Sequence, residues 1–205
     1  MRSLEMFPRE KWRKKSWESM NLYAQIAHKL GLYSIKSELE DIALSYLEPA
    51  EYNLIHRKLE ETERERQTFI GRFLEPIVER LDKQGFKYHI KSRTKSIFSI
   101  WTKMHKQHVP FEGVYDIFAL RIILDCPPEE EKTQCWAVYS IVTDYYIPNT
   151  ERLRDWISIP KSNGYESLQT TVSAGGGRWV EIQIRTERMD AVAERGIAAH
   201  WRYKG

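Results

Sequence analysis

Residues 152–186, RLRDWISIPKSNGYESLQTTVSAGGGRWVEIQIRT, decide the fold. The runs LQTTVS and RWVEIQIR have the composition of strands, and the three glycines between them are typical of a hairpin turn. In the second run apolar residues alternate with polar ones from Glu181 to Arg185, which indicates a strand with one core face and one polar face. The stretch therefore predicts a β-hairpin that presents charged groups on one side.

The same stretch begins with a predicted short strand, Trp156–Ile159, which ends at Pro160. Residues 161–165 follow as a loop, since Asn-Gly is typical turn chemistry. Tyr165 in this loop has two interpretations: its ring stacks on a nucleotide base, or it folds back onto the core. The glycine triplet is interpreted as a turn and not as a phosphate-binding loop, because it lacks the GxxxxGK[ST] pattern and precedes a strand.

Most of the chain before residue 85 is predicted to be helical. Residues 1–47 show two amphipathic stripes that are separated at Gly31. Residues 50–84 show a highly charged helical pattern, which Pro76 should kink and Gly85 should end.

Two further helices are predicted downstream. One covers residues 130–146, and Thr186 can cap the other. The apolar side of that last helix is predicted to include Met189, Val192, Ile197 and Ala198.

Residues 86–91 alternate between apolar and basic side chains, which predicts a half-buried strand with a basic outer face. Arg93 and Lys95 continue the alternation as the strand ends. Lys95, Ser99 and Lys103 then follow at four-residue spacing, along one stripe of a predicted helix. Such a stripe suits a bound polyphosphate, although a row of solvent-facing lysines would have the same spacing.

Residues 115–124, YDIFALRIIL, form a nearly continuous apolar run and predict a strand that is covered on both faces. Asp116 and Arg121 interrupt the run, and a buried charge is costly unless it is paired or bound to a metal. Their parity differs, so either Asp116 lies just before the strand or a bulge intervenes.

Asp116 and Glu181 are two carboxylates on presumed central strands in basic surroundings. Two adjacent carboxylates repel each other unless a cation lies between them. Mg²⁺ favours one or two carboxylates together with phosphate oxygens, so the pair predicts a site for phosphoryl-type transfer. The alternative is that each carboxylate forms a structural salt bridge, for example with a neighbouring arginine.

Composition bounds the function classes. The chain has 205 residues, of which 41% are hydrophobic and 30% charged, as in globular proteins. No apolar run reaches the roughly 18 residues of a membrane span. Cys126 and Cys135 have no metal-ligand spacing and are interpreted as thiols in a reducing compartment, so the cytoplasm is the expected location.

The basic residues are concentrated in one block. The net charge is only +3, but between Lys83 and His108 there are seven Lys and Arg and no acid. This block indicates an anionic partner, either nucleic acid or the phosphates of a small ligand. A solvated basic face is the remaining alternative.

Five motifs, in this order, resemble the synthetase domain of the long RelA/SpoT-type (p)ppGpp enzymes. They read KSRTKSIFSIWTKM, YDIFALRI, RLRDWISIPKSNGYESLQTTV, EIQIRT and AERGIAAHWRYKG. The segment IAHKLGLYSIKSELEDIALSYLEPAEY is similar to the helices that join that domain to a preceding hydrolase domain. The resemblance implies a helical linker over residues 1–65 and a synthetase domain over residues 66–205. It also implies an excerpt of a longer protein, without its hydrolase and regulatory domains.

The fold that the resemblance implies is α+β, a nucleotidyltransferase-like mixed β-sheet flanked by helices and preceded by the helical linker. The implied reaction of this stringent-response family is transfer of pyrophosphate from ATP to the 3′-hydroxyl of GDP or GTP, which gives (p)ppGpp and AMP. The implied cofactor is Mg²⁺, or Mn²⁺ in its place. The ribosome is expected as a partner only through absent domains, and neither nucleic acid nor membrane is expected to bind this chain directly.

The family's residue roles carry over to matching positions. The implied catalytic residues and metal ligands are Asp116 and Glu181, with Glu181 also serving as the base. The implied ATP-binding residues, with adenine between the two arginines, are Arg93, Lys95, Ser99, Lys103 and Arg121. The implied GDP- or GTP-binding residues are Arg154, Lys161, Asn163, Tyr165 and Gln169.

Two positions depart from the family patterns. RLRD resembles the RxKD variant of bifunctional members, and Arg154 replaces the usual lysine with its charge kept. Gln169 stands where the family pattern NGYxSLHT has histidine. A neutral amide keeps a hydrogen bond but has no cationic character. The alternative function is therefore a catalytically weakened or silent nucleotide-binding regulatory domain of the same family.

Overall fold

Five strands form one mixed sheet in the computed structural model, which describes residues 1–114 and 116–195. The strands are β1 (Tyr88–Thr94), β2 (Phe118–Leu124), β3 (Arg154–Asp155), β4 (Leu168–Ser173) and β5 (Trp179–Thr186). Their order across the sheet is β1-β2-β5-β4-β3. Strands β2 and β5 are parallel, whereas the other neighbouring pairs are antiparallel.

Helices surround the sheet and precede it in the chain. The α-helices of the described residues are α1 (Arg9–Glu18), α2 (Ala24–Lys29), α3 (Tyr33–Leu47), α4 (Pro49–Glu61), α5 (Glu63–Lys83), α6 (Ile97–Gln107), α7 (Glu131–Tyr145) and α8 (Glu187–Arg195). A π-helical turn at Ser19–Tyr23 joins α1 to α2. Short 3₁₀ turns occur at Leu4–Met6, Phe111–Gly113, Pro128–Glu130 and Thr150–Arg152. The predicted α+β fold, a mixed sheet flanked by helices, is confirmed.

The two faces of the sheet differ in polarity because strand side chains alternate. Leu120, Ile122 and Leu124 of β2 and Ile182 and Ile184 of β5 are fully buried on one face. Helices α5 and α7 cover this face and complete the main hydrophobic core. Glu181, Gln183 and Arg185 point to the opposite face, as the alternation in the sequence predicts.

A second, smaller core attaches the N-terminal helices to α6. It consists of Leu44, Ile55, Ile97, Ile100, Phe111 and Val114. Helices α3 and α4 thereby pack against the helix that carries Ser99 and Lys103. No described helix combines the length and the apolar character needed to cross a membrane.

Several predictions about the elements are confirmed. Gly31, with φ of 73°, separates α2 from α3, and the glycine triplet turns the chain between β4 and β5 with positive φ throughout. Asp116 lies before β2, so the alternative without a bulge is correct. Thr186 caps α8 through its hydroxyl, which accepts a hydrogen bond from the Met189 amide at 3.4 Å.

The apolar side of α8 is confirmed as far as the structure describes it. Met189 and Val192 are buried. Ile197 and Ala198, which were predicted to belong to the same side, lie outside the described residues, as does Tyr115 at the start of the 115–124 run.

Three predictions about the elements are wrong. Residues 156–159 form turns and not a strand, because the Asp155 carboxylate accepts hydrogen bonds from the amides of Ile157 at 3.1 Å and Ser158 at 2.9 Å. The helix predicted over residues 50–84 is interrupted at Thr62. Lys95 precedes α6, since the side chain of Ser96 caps that helix by accepting from the Ser99 amide.

The cysteines are free thiols, as predicted. Cys135 is buried, and burial raises the pKa of its thiol to about 12. It is therefore unreactive at neutral pH.

Candidate active site

One row of paired residues is polar in every strand of the sheet. The strand register aligns Lys91 of β1, Arg121 of β2, Gln183 of β5, Gln169 of β4 and Arg154 of β3. Paired residues share a face of a sheet, so the sequence places polar groups across its whole width. Such a row is costly unless its members bind each other or a ligand.

The predicted carboxylates meet two predicted lysines beside this row. Lys95 Nζ lies 2.7 Å from Asp116 Oδ2 and 3.5 Å from Glu181 Oε2. Lys103 Nζ binds the same Asp116 oxygen. We call these four residues the carboxylate–lysine centre. The partners of the carboxylates are thus lysines and not the neighbouring arginines that the salt-bridge alternative named.

The ion pairs of this centre set its charge state. Burial alone would raise the pKa of Asp116, but the hydrogen bonds from Lys103 and Lys95 outweigh burial and lower it to about 2. Burial opposes the charge of Lys95, yet Glu181 and Asp116 together raise its pKa. Burial, together with the like charge of Lys95, lowers the pKa of Lys103. Asp116 is therefore an anion throughout the physiological pH range.

The ionisation of Asp116 predicts a pH-dependent contribution to stability. Its pKa falls from 3.8 to about 2 on folding, which corresponds to about 2 kcal/mol. Because the folded-state pKa is the lower one, this stabilisation is complete above about pH 5 and is lost progressively as the pH falls from there through about 2. We expect the excess unfolding free energy of the wild type over Asp116→Asn to shrink by about half between pH 6 and pH 3.

Urea titrations in EDTA measure this quantity, and the chelator removes any contribution from bound cations. A difference that stays constant over the same pH interval would contradict the assignment of ionised, lysine-bound Asp116.

A cavity of about 330 Å³ adjoins the centre on the polar face. The sheet, the 161–165 loop and helix α8 contribute to its lining. The lining residues from these elements are Arg93, Arg121, Lys161, Tyr165, Gln183, Arg185 and Ala193. We call this space the basic cavity. Arg121 is only 7% exposed, and its Nε atom has no hydrogen-bond partner among the described residues. A buried donor without a partner is uncommon in folded proteins.

A chain of hydrogen bonds connects the centre to the cavity along β5. Gln183 Nε2 donates to Glu181 Oε1 at 2.8 Å, and the Arg185 guanidinium donates to Gln183 Oε1 at 2.7 Å. Arg185 also donates to the Tyr165 hydroxyl at 2.5 Å, and Gln169 Nε2 donates to the same hydroxyl at 2.6 Å. The orientation of Tyr165 is thus linked to that of Glu181.

The Tyr165 side chain is buried, with Tyr165 only 8% exposed. Its hydroxyl is fixed by the two donors above, and the cationic groups of Lys161 and Arg185 lie 4.9 and 5.0 Å from its ring centroid. The alternative in which the ring folds back is the arrangement observed. One reason is that Lys161 also lies 4.9 Å from the Trp156 ring, which holds the loop close to the body.

The other predicted residues are distributed as follows. Ser99 is bound to the cap of α6 through a 2.8 Å contact between its hydroxyl and that of Ser96. Arg154 shares the polar row, but its side chain donates to the carbonyl oxygens of Glu151 and Leu153 at 2.7 and 2.8 Å. Arg154 therefore does not join the lining of the basic cavity.

The predicted set omitted three residues that organise the site. Arg185 is 2% exposed and forms an ion pair with Asp190 at 3.2 Å. Asp190 also binds Lys91 at 3.1 Å, and it lies 3.8 Å from Arg121. Arg188 joins Glu131 and Glu166. Arg185 has the same parity as Glu181 in β5, so the sequence could have placed it on the polar face of the sheet. Nothing in the sequence pattern paired Asp190 or Arg188 with partners on other elements.

The donor set of the centre fits a divalent cation that also binds a ligand. Asp116 and Glu181 share one lysine partner, so their carboxylates approach the same position. No cluster of three or more His, Cys, Asp or Glu within the described ranges could hold an ion by itself. Two carboxylates together with phosphate oxygens are a set that Mg²⁺ accepts.

Comparison with known proteins identifies relatives over the whole chain. The chain is 40% identical, over 205 residues, to guanosine-3′,5′-bis(diphosphate) 3′-pyrophosphohydrolase of Aquifex aeolicus. This alignment covers 100% of this chain and 29% of the relative. It is also 39% identical, over 187 residues, to GTP pyrophosphokinase of Escherichia coli K12. That alignment covers 91% of this chain and 24% of the relative. The chain thus spans about a quarter of the length of such relatives.

A solved structure shows the same fold. The small alarmone synthetase 2 of Bacillus subtilis aligns with a TM-score of 0.50 and 26% identity, over 73% of this chain and 80% of that structure. A family model described as "Region found in RelA / SpoT proteins" matches residues 92–205. The matched region contains all four residues of the carboxylate–lysine centre and the sheet-borne lining of the basic cavity. This match covers more than half of the chain, and the chain belongs to the RelA/SpoT family.

Proposed function

We propose that this chain is a GTP pyrophosphokinase domain, which transfers pyrophosphate from ATP to the 3′-hydroxyl of GDP or GTP and releases AMP. The observation that carries the proposal is the direct connection of the carboxylate–lysine centre to the basic cavity on one face of the sheet. The centre provides charges for a polyphosphate, and the cavity provides space for a nucleotide. We further propose that residues 66–205 form the synthetase domain and residues 1–65 the helical linker.

The names of the relatives support a guanosine nucleotide as substrate but describe opposite reactions. One relative is named for hydrolysis of guanosine-3′,5′-bis(diphosphate), and others, such as that of Myxococcus xanthus at 37% identity, are named GTP pyrophosphokinase. A structural neighbour over 73% of this chain is an alarmone synthetase. This favours synthesis as the activity of residues 66–205.

On the ATP side, we propose that Arg93 and Arg121 bind adenine between their guanidinium planes. Both line the basic cavity, and the Arg121 guanidinium there is paired through one nitrogen with Glu194 at 2.6 Å. We assign the phosphates to Lys95, Lys103 and the Ser99 hydroxyl. Ammonium groups on two elements suit a polyphosphate, because charge-assisted hydrogen bonds to phosphate are strong.

On the acceptor side, we propose that Tyr165 and Lys161 bind the guanosine nucleotide. The Tyr165 ring is covered by Lys161, so base stacking requires the lysine side chain to move aside. Asn163 accepts a hydrogen bond from the Tyr165 backbone amide, and Gln169 donates one to the Tyr165 hydroxyl. Both residues therefore hold Tyr165 in place. Arg154, at the edge of the sheet, is assigned to the phosphates of the acceptor.

Members of this family use a divalent metal ion, and we propose Mg²⁺, with Mn²⁺ as a substitute, for this chain. Asp116 and Glu181 would hold the ion, which would supply positive charge to the phosphate oxygens. In the reaction the 3′-oxygen forms a bond to the β-phosphorus of ATP, and the bond from that phosphorus to the α,β-bridging oxygen breaks. Glu181 accepts the hydroxyl proton, and AMP leaves with the bridging oxygen.

The direct test incubates this chain with ATP, Mg²⁺ and either GDP or GTP and separates the nucleotides by ion-exchange chromatography. We expect AMP and (p)ppGpp to accumulate together. A parallel incubation with ppGpp alone measures hydrolysis. If the chain binds both nucleotides but releases no AMP over hours, the synthetase proposal is wrong; hydrolysis of ppGpp alone would assign it the opposite activity.

The replacement of the usual histidine by Gln169 is expected to have a small effect. Gln169 makes a neutral hydrogen bond to the Tyr165 hydroxyl, and an imidazole N–H can make the same bond. Arg185, which donates to that hydroxyl as well, disfavours a charged imidazole there. We expect Gln169→His to change kcat/KM for the acceptor by less than about tenfold. A larger gain, or activity that appears only in the variant, would support the silent regulatory domain instead.

We propose ATP and GDP or GTP as the partners of this chain, the cytoplasm as its location, and regions other than residues 1–205 as the source of any ribosome contact. Direct binding of nucleic acid is not expected. Four lysines of the 83–108 basic block already form ion pairs: Lys83 with Glu79, Lys91 with Asp190, and Lys95 and Lys103 with Asp116. If the chain did bind nucleic acid directly, its affinity for nucleic acid would fall steeply as the salt concentration rises.

A further inference from the structure

The N-terminal helices form one wall of the basic cavity. His28 at the end of α2 and Tyr33, Lys36 and Ser37 at the start of α3 line the cavity together with Arg93, Arg121, Lys161 and Arg185. These four residues belong to the segment that the family resemblance describes as a linker. A segment that only connects two domains has no reason to line a ligand cavity.

The contact between this wall and the 161–165 loop is a specific hydrogen bond. Asn163 Nδ2 donates to the Tyr33 hydroxyl at 2.9 Å. The other end of the same amide, Oδ1, accepts from the Tyr165 backbone amide at 3.2 Å. Asn163 therefore connects Tyr33 to Tyr165, and each end of its amide already makes one hydrogen bond within the protein.

This connection is one of several hydrogen bonds that shape the loop. Two further backbone hydrogen bonds close it, from Gly164 to the Lys161 carbonyl at 2.8 Å and from Lys161 to the Tyr165 carbonyl at 3.1 Å. Gly164 has a φ of 74°, a conformation that other residues rarely adopt. The Asn163 bond to Tyr165 is the side-chain bond that holds this turn, and Tyr33 fixes the orientation of the Asn163 amide.

Helix α3 is itself held in place on the synthetase region. The Asp41 carboxylate accepts a hydrogen bond at 2.8 Å from the Phe98 amide in the first turn of α6. Leu44, on the same helix, is buried in the small core with Ile97 and Ile100. Tyr33 thus extends from a rigid support, and its ring lies edge-on to His28 at 5.7 Å between centroids. A fixed hydroxyl of this kind can orient its partner.

We propose that Tyr33 is a positioning residue for the acceptor nucleotide, and that α3 is part of the synthetase site. Through Asn163, Tyr33 holds the 161–165 loop in the conformation that presents Lys161 and Tyr165 to the cavity. The inference rests on the proposed function, because it assigns the acceptor to this loop. Loss of the Tyr33 hydroxyl then weakens acceptor binding but leaves ATP binding and the transfer step unchanged.

The test compares Tyr33→Phe with the wild type of this chain by steady-state kinetics. The variant removes one hydroxyl and keeps the ring, so folding is preserved. We expect KM for GDP to rise about three- to tenfold, the effect of one uncharged hydrogen bond, with kcat and KM for ATP within twofold of the wild type. Tyr88→Phe is the matched control, since the Tyr88 hydroxyl binds Asp82 at 2.8 Å outside the cavity lining. It should leave all three constants unchanged.

A double-mutant cycle separates positioning from general destabilisation. In an Asn163→Ala background, Tyr33→Phe should have no further effect on KM for GDP, because its partner is absent. Additive effects of the two substitutions, or equal changes in KM for GDP and ATP, would overturn the proposal.

Failure of the inference and failure of the proposed function give different results. If the wild type makes AMP and Tyr33→Phe has an unchanged KM for GDP, the inference is wrong and the function stands. If the wild type makes no AMP, the function fails. In that case, dissociation constants measured by calorimetry test the inference alone. Weaker binding of GDP but not of ATP by Tyr33→Phe supports the inference, and equal GDP affinities of the variant and the wild type overturn it.

Discussion

Replacement of Glu181 by glutamine is expected to lower kcat for pyrophosphate transfer by about 10²- to 10⁴-fold, the usual contribution of a general base. Glutamine has the same size and keeps an oxygen that can accept the hydrogen bond from Gln183, which lies 2.8 Å from Glu181 Oε1. It cannot accept the proton of the 3′-hydroxyl, and it is a weaker ligand for a cation. The basic cavity is untouched, so KM for GDP should change far less than kcat.

The control for this variant is Glu112→Gln. Glu112 is a carboxylate with a single lysine partner, Lys58, at 2.7 Å, and its side chain is 61% exposed. Glu112 belongs neither to the carboxylate–lysine centre nor to the lining of the basic cavity, so loss of its charge should leave kcat unchanged. A decrease of less than tenfold in Glu181→Gln, measured by AMP release at saturating nucleotides, would exclude Glu181 as the base.

Replacement of Arg188 by methionine is expected to lower the unfolding free energy by about 2–3 kcal/mol, less than the full cost of breaking a buried ion pair because the Arg188 side chain is 29% exposed. The guanidinium of Arg188 binds Glu131 through bonds of 2.6 and 3.0 Å and binds Glu166 at 2.5 Å. These hydrogen bonds raise the pKa of Arg188. The Glu131 and Glu166 side chains are 9% and 17% exposed, so both lose a partner in a poorly solvated place.

Arg57→Met provides the comparison for Arg188→Met. Arg57 and Glu61 are 3.8 Å apart on α4, with side chains that are 66% and 56% exposed. Such a pair contributes less than about 1 kcal/mol. Guanidinium titrations of both variants measure the contrast. The contacts of Arg188, on α8, with Glu131 and Glu166 indicate that it joins α7 to the chain just after the 161–165 loop. Equally small losses of unfolding free energy in the two variants would show that this cluster does not stabilise the fold.

Much of the fold was predictable because its signals are local. The hairpin of β4 and β5 follows from alternation and three glycines, and the structure gives β4 the bounds 168–173 that the sequence predicts. Basic surroundings for Asp116 and Glu181 were also expected, but the ion pairs of Asp116 with Lys95 and Lys103 were not. The pattern did not predict which of these charged side chains pair with each other.

What the sequence could not predict depends on side chains that meet across distant segments. WISI at 156–159 alternates like a strand, yet Asp155 captures its amides and folds a turn. The burial of Tyr165 depends on Arg185, 20 residues away, and on Gln169. The contact between Tyr33 and Asn163 joins residues 130 positions apart. Periodicity carries no information about such pairs, since it describes only neighbours along one element.

The fate of labelled phosphates is the most direct test of the synthetase account. The chain is incubated with Mg²⁺, GDP and ATP labelled either at the γ-phosphorus or at the α-phosphorus, and the products are separated and counted. The account predicts γ-label in ppGpp, α-label in AMP, and equal amounts of the two products. Recovery of the γ-label as inorganic phosphate with ADP as the other product, or an unchanged pool of labelled ATP, would contradict it.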